Sequence, residues 1–341
     1  MTLTVDFGPN DIVKQIEKTG IKGQHLIFID DYSSTELENI FKTAEMLEPF
    51  WRNRIPLLEG KILCTQFFQP STRTRFSHET AMFRLGGNVI TESNPLVSSA
   101  AAKGESLYDS LRVTSQYADV IVLRHPDEGV IDTIEQLGSD ASPIISGGYG
   151  NVTHPTQGLL DMYTAYRALG GDFKKMTVMI ATPDLSRARS GQSFGLGLAR
   201  MGAKLIYSGT TGLEVPPVIR EKLKAMNANF TEVNDLTIGQ HEEMLADEAV
   251  DLLYLPGCSV KKGDPGRDDF LKKMAEFYFT LEGLQKIKQK SGKTVGLMHS
   301  LPRNEGEFDF AIDASEHELY FKQIGLSVPL RMSLLANICG V

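Results

Sequence analysis

Apolar residues recur along this chain with two alternating periods. Over residues 33–51 they stand at helical spacing (Leu37, Ile40, Phe41, Ala44, Leu47), and Ser34 or Thr35 followed by Glu38 supplies a helix-start signal. Residues 61–68 form a short continuous apolar run bounded by Gly60 and Pro70, which predicts a buried strand. Helical spacing returns over 74–85 and stops at Gly86-Gly87. Residues 88–91 and 118–123 read as two further strands, with a helix over 106–117 between them and a fourth strand near 142–145.

The second half repeats this grammar. Short apolar or β-branched runs at 176–181, 204–207, 229–231, 252–255 and 294–298 are separated by helical stretches such as 192–201 and 216–226. Strands alternating with helices of this length predict an α/β fold in which parallel sheets are covered by helices on both faces. At 341 residues the length suits two such domains. The division falls at 1–153 and 154–324, and a last helix, about 325–341, returns to the first domain. The site is expected in the cleft between the two.

Composition narrows the function. A formal charge of −8 argues against a nucleic-acid or membrane-surface binder, which needs a basic face. Hydrophobic residues at 41% with 23% charged are ordinary for a folded globular chain. Cys64, Cys258 and Cys339 are scattered and make neither a disulfide framework nor a zinc motif. With no signal peptide and no apolar run of about 18 residues, the expectation is a cytoplasmic protein.

The most informative segment is Phe67-Phe68-Gln69-Pro70-Ser71-Thr72-Arg73-Thr74-Arg75. A strand ends, Pro70 turns the chain, and hydroxyls and arginines gather where a helix starts. A helix N-terminus offers unpaired N–H groups and the positive end of the helix dipole, which suits a dianion. Hydroxyls at Ser71, Thr72 and Thr74 and the fork of Arg73 would complete a phosphate cradle. No Gly-x-Gly-x-x-Gly turn follows residues 176–181, which weighs against a dinucleotide-binding dehydrogenase.

This segment, continued through Phe76-Ser77-His78-Glu79-Thr80, resembles the carbamoyl-phosphate signature of the aspartate and ornithine carbamoyltransferases. Further blocks follow in that family's order. They are Ser99 with Lys103-Gly104-Glu105-Ser106-Leu107, then Leu123-Arg124-His125-Pro126, His154-Pro155-Thr156-Gln157 and His299-Ser300-Leu301-Pro302-Arg303. Taken singly, His154 would be a structural histidine, Lys103 a solvated loop lysine and Arg124 a surface ion-pair partner. Their joint occurrence gives them weight.

The resemblance implies carbamoyl transfer from carbamoyl phosphate to an amine, with no metal and no cofactor. It places Ser71, Thr72, Arg73 and Thr74 on the phosphate, and Thr74, Arg124 and His154 on the carbamoyl oxygen. Gln157 and the backbone carbonyl of Leu301, beside Pro302, would take the carbamoyl amino group. Ser99 and Lys103 correspond to residues that reach the site from a neighbouring subunit, so the resemblance implies a homotrimer with shared active sites, open to a higher assembly with a regulatory or other subunit.

The acceptor half departs from the pattern. Arg189 aligns with the arginine that grips the acceptor α-carboxylate in aspartate enzymes. Where those enzymes carry an Arg-Val-Gln triplet for the second carboxylate, this chain reads Gly257-Cys258-Ser259, leaving Ser259 as the acceptor contact and Gly257 as a position whose backbone is expected to resist a side chain. Gln69 stands where those enzymes have glutamate. The ornithine branch, with Ser-Met-Gly and His-Cys-Leu-Pro, fits no better. Lys261, Lys262 and Arg267 are substitute cations for the missing charge. The donor motifs point to L-aspartate, giving N-carbamoyl-L-aspartate and phosphate as in pyrimidine biosynthesis. The alternatives are another small amine or amino acid as acceptor, and a silent homologue serving as an assembly subunit.

Overall fold

The computed structural model describes residues 8–98, 100–257, 267–304 and 306–341. They form two compact units, one drawn from Met1–Thr156 and Gly325–Val341, the other from Gln157–Ile324. In the first, α1 (Pro9–Thr19) and α2 (Ser34–Leu47) precede β1 (Ile62–Phe67), α3 (Thr72–Arg84) and β2 (Asn88–Glu92). A short α4 (Pro95–Ser98) and α5 (Leu107–Thr114) lead to β3 (Val120–His125), α6 (Val130–Leu137) and β4 (Ile144–Tyr149). The chain then passes into the second unit within α7 (Pro155–Leu169).

The second unit alternates β5 (Thr177–Ala181), α8 (Arg189–Met201), β6 (Lys204–Gly209), α9 (Pro217–Ala225) and β7 (Phe230–Asn234). It continues with α10 (Ile238–Asp247), β8 (Leu252–Leu255), α11 (Arg267–Met274), α12 (Leu281–Ser291) and β9 (Gly296–His299). The last helix, α13 (Tyr320–Cys339), carries the chain back to the first unit.

Each unit holds one sheet whose paired strands are all parallel. The orders are β2-β1-β3-β4 and β7-β6-β5-β8-β9. Strands β3, β4, β5 and β8 are almost wholly buried, as strands covered on both faces must be. In the first unit Ile121, Leu123 and Ile144 from the sheet pack with Leu111 of α5 and Ile134 of α6. In the second, Met179, Leu253 and Leu297 pack with Leu245 of α10 and Leu284 of α12.

Both strand orders contain a reversal. From β1 the chain winds outward to β2, then returns to place β3 on the other side of β1. From β5 it winds to β6 and β7, then returns to place β8 on the other side of β5. At such a switch point the loops leaving adjacent strand ends diverge and open a crevice, where α/β sheets bind ligands.

Three local expectations are corrected. The cap of α2 is Ser33, not Ser34 or Thr35, and its partner is Glu36, not Glu38. Ser33 Oγ accepts from the Glu36 amide at 3.3 Å, and the Glu36 carboxylate accepts from the Ser33 amide at 2.7 Å. Strand β4, expected near 142–145, starts at Ile144 and runs on through Gly147 and Gly148 to Tyr149. Helix α13 begins at Tyr320 and carries Pro329 in its interior, a residue that signals a helix boundary when only the sequence is read.

Candidate functional site

In the first unit the diagnostic turn joins β1 to α3 at the reversal between β1 and β3. Ser71 is the N-cap of α3, with extended backbone and no capping bond from its side chain, and the first turn of the helix holds no acidic residue. Thr72, Arg73 and Thr74 are therefore the first three helical residues, and the helix N-terminus is electropositive and uncapped by its own hydroxyl. Thr74 is buried, and its carbonyl accepts from Ser77 Oγ at 3.1 Å and lies 2.7 Å from His78 Nδ1. Arg73 is exposed as a residue, yet the atoms crowding its guanidinium pull it below its ordinary value. It stays cationic at any physiological pH.

The sheet brings Arg124 to this turn. Phe67 and Arg124 are register partners at the ends of β1 and β3, and the Phe68 amide donates to the Arg124 carbonyl at 2.9 Å. Arg124 Nη1 donates to the Gly147 carbonyl at 2.9 Å and lies 3.5 Å from Nε2 of the buried His154. Gly148 lies against both groups in a backbone conformation that favours glycine. Its φ is +111°, and a Cβ there would stand 3.4 Å from both Arg124 Nη1 and the His154 ring. Thr156 Oγ1, 3.4 Å from His154 Nδ1 and donating to the Ser146 carbonyl at 3.4 Å, braces the imidazole from its other side. The sheet thus sets Arg124, with His154 beside it, at the strand end next to the turn that opens α3 with its hydroxyls and Arg73, donors of the kinds suited to a phosphorylated carbonyl compound.

Lys103 is exposed at the end of a 3-10 turn (Ala100–Lys103), with no hydrogen bond or ion pair to the Ser71–Arg75 turn among the described residues. Ser99, Cys258, Ser259, Lys261 and Lys262 lie outside the described residues. Arg267 opens α11.

The remaining described sequence candidates belong to the second unit: Gln157 lies on α7, and the others follow strand ends. Asp184 accepts from Ser186 Oγ at 2.5 Å and from the Arg187 amide at 3.3 Å, closing the turn after β5. Gln192 Nε2 bonds the carbonyls of Leu185 and Ser186 at 3.0 and 3.2 Å, and this fixed turn presents Arg189 as the first residue of α8. Burial pulls the Arg189 guanidinium below its ordinary value, a cost that a bound carboxylate would offset.

After β9, Leu301 adopts φ +53° and is followed by a cis bond to Pro302. A branched side chain in the left-handed region is strained, and such strain collects at ligand-binding positions. The Leu301 amide bonds His299 Nδ1 at 2.9 Å, while His299 Nε2 sits 3.3 Å from the Glu307 carboxylate. The Gly257 amide donates to Ser300 Oγ at 3.0 Å.

Gly257 is not among the glycines with positive φ, so its backbone does not forbid a side chain. What opposes one is space: a Cβ would lie 3.2 Å from His299 Cε1 and 3.3 Å from Ser300 Oγ. Two residues that the sequence reading did not single out, Asp161 and Gln323, form a hydrogen-bonded chain behind Gln157. Its Nε2 donates to Asp161 Oδ1 at 2.8 Å, and the same oxygen accepts from Gln323 Nε2 of α13. The i, i+4 spacing of Gln157 and Asp161 was available in the sequence, but the distant Gln323 was not.

Known proteins agree on the chemistry. Residues 24–167 match the model of the aspartate/ornithine carbamoyltransferase carbamoyl-phosphate-binding domain. A ureidoglycine carbamoyltransferase from Rubrobacter xylanophilus is 44% identical over 326 residues, covering 95% of this chain and 94% of that protein. An aspartate carbamoyltransferase catalytic subunit from Methanocaldococcus jannaschii is 39% identical over 323 residues, covering 92% of this chain and 97% of its own. The structure of aspartate transcarbamoylase from Trypanosoma cruzi with carbamoyl phosphate and aspartate superposes with a TM-score of 0.80 at 26% identity, covering 94% of this chain and 98% of that one.

Proposed function

This chain belongs to the aspartate/ornithine carbamoyltransferase family, and we propose that it transfers the carbamoyl group of carbamoyl phosphate to the amine of a small amino acid carrying one carboxylate. The observation that carries this reading is Gly257. The position that would offer an arginine to a second carboxylate has no side chain, and a Cβ there would press on His299 at 3.2 Å and Ser300 at 3.3 Å. A second carboxylate held there without a cation would meet a desolvation cost of several kcal/mol. Ureidoglycine, named in the 44% relative, has the required form: one amine, one carboxylate and a neutral ureido group.

The neutral amine attacks the carbamoyl carbon, a C–N bond forms, the C–O bond to phosphate breaks, and the departing phosphate carries away the electron pair and takes up the proton that the attacking nitrogen loses. The α3 N-terminus with Ser71, Thr72, Arg73 and Thr74 receives the phosphate. Thr74, Arg124 and His154 stabilise the oxyanion that develops on the carbamoyl oxygen, the term that contributes most to such reactions. Gln157 and the Leu301 carbonyl, shaped by Pro302, hold the carbamoyl amino group in position. Arg189 grips the acceptor carboxylate. Ser99 and Lys103 come from a neighbouring copy in a homotrimer. Support for self-association is the exposure of Phe83, Leu96 and Val97 in the first unit, where large apolar side chains stand open.

The second reading is L-aspartate as acceptor, favoured by the aspartate enzymes among the relatives. Carbamoyl phosphate supplied with aspartate, ornithine, lysine, putrescine, glycine and ureidoglycine, with phosphate release and product mass recorded, separates the two. A one-carboxylate amine should surpass aspartate in kcat/KM. Efficient turnover of aspartate above all others overturns the first reading.

A further inference from the structure

Asp161 is a carboxyl group with no solvent exposure, on the helix that carries Gln157 and one turn beyond it. Burying a carboxylate is costly unless its oxygens are hydrogen-bonded, so its partners define its purpose. Oδ1 accepts from Gln157 Nε2 at 2.8 Å and from Nε2 of Gln323, itself 1% exposed. A carboxylate oxygen accepts and does not donate, so it sorts the two ends of a carboxamide: the NH2 of Gln157 must face inward and its oxygen outward. Gln157 remains partly exposed while everything behind it is buried. Tyr254, also fully buried, keeps its hydroxyl protonated, through burial first and then the neighbouring Asp161 charge.

We propose that Asp161 is a positioning residue that fixes the polarity of the Gln157 carboxamide, so that the site presents an acceptor to the N–H groups of the carbamoyl donor and discriminates carbamoyl from acyl phosphates lacking that amino group. Gln323 seats the same carboxylate oxygen with a second hydrogen bond. The inference rests on the reading of Gln157 given above. With Asn at 161, the carboxamide facing Gln157 can donate as well as accept, and the outward group is no longer specified.

Acetyl phosphate, which has a methyl group where carbamoyl phosphate has NH2, is the probe. The readout is the ratio of kcat/KM for carbamoyl phosphate over acetyl phosphate, with one fixed acceptor amine. Gln157→Ala should lower this ratio about tenfold or more, the loss of one specific hydrogen bond. Asp161→Asn should lower it similarly, and should add little in the Gln157→Ala background. A merely structural role for Asp161 would depress both substrates equally and leave the ratio unchanged, which overturns the proposal. If Gln157→Ala itself leaves the ratio intact, the reading of Gln157 fails, a distinct outcome. Should Asp161→Asn not fold, Asp161→Ser and the side-chain amide resonances of Gln157 in the unmodified protein decide. Slowly exchanging amide protons support the contact, and exchange at the rate of a free amide overturns it.

Discussion

Arg73 combines position and charge. It is the second residue of a helix whose N-cap makes no capping bond, in a first turn without acidic residues. Arg73→Ala should lower turnover by at least about a hundredfold, the loss typical of one preorganised transition-state donor. Its Tm should hold, because an exposed side chain leaves no cavity behind. Near-normal turnover in a folded variant would remove Arg73 from the chemistry. Arg303 tests a structural contact near the second-unit loop. It forks onto Asp313, with Nη2 to Oδ2 at 2.7 Å, and lies 4.0 Å over the Phe310 ring. Its hydrogen bond holds the Asp313 carboxyl below its ordinary value. A depressed acid stabilises the fold above that value and loses the contribution as pH falls through its folded value. Arg303→Gln should therefore lower Tm at pH 7, and melting curves taken down to pH 3 should show the gap narrowing. A gap that stays constant would mean that ring stacking, not charge, is what Arg303 contributes.

Among the elements, the instructive one is the end of β8. From sequence, Gly257 reads as a backbone that resists a side chain; its φ is ordinary, and the resistance comes from neighbours on the strand beside it. Contacts of 3.2–3.3 Å demand a shift of a few tenths of an ångström from the His299 ring and the Ser300 hydroxyl. Gly257→Arg should fold with a lower Tm and raise kcat/KM for aspartate about tenfold, the order of a charge-assisted hydrogen bond. A folded variant with unchanged aspartate use would place the specificity elsewhere. Element type was legible wherever apolar period and punctuation agreed, as in α3 and β1. Boundaries were less so: the α2 cap shifts by one residue because Ser33, Ser34 and Thr35 are all competent caps, and only the backbone conformation selects one.

For the whole molecule, the prediction concerns shared sites. If Lys103 acts in a neighbouring copy, inactive Lys103→Ala and inactive Arg73→Ala chains should regain activity when mixed, since one interface then holds both intact residues. Native mass spectrometry checks that hybrids form; hybrids that stay inactive would show that one chain builds the site alone. By itself the sequence determined the alternation of strand and helix, hence parallel sheets covered on both faces, and the family through local blocks. Those are short-range properties, carried by periodicity within 5–20 residues and by motifs that keep their own spacing. Only the tertiary structure decided strand order, and with it the reversal that sets Arg124 beside the turn after β1. It also decided the meeting of Gln323 with Asp161, 162 residues apart in sequence. Such pairings follow from how whole faces bury against one another, and local pattern carries no record of which distant partner a buried polar group will meet.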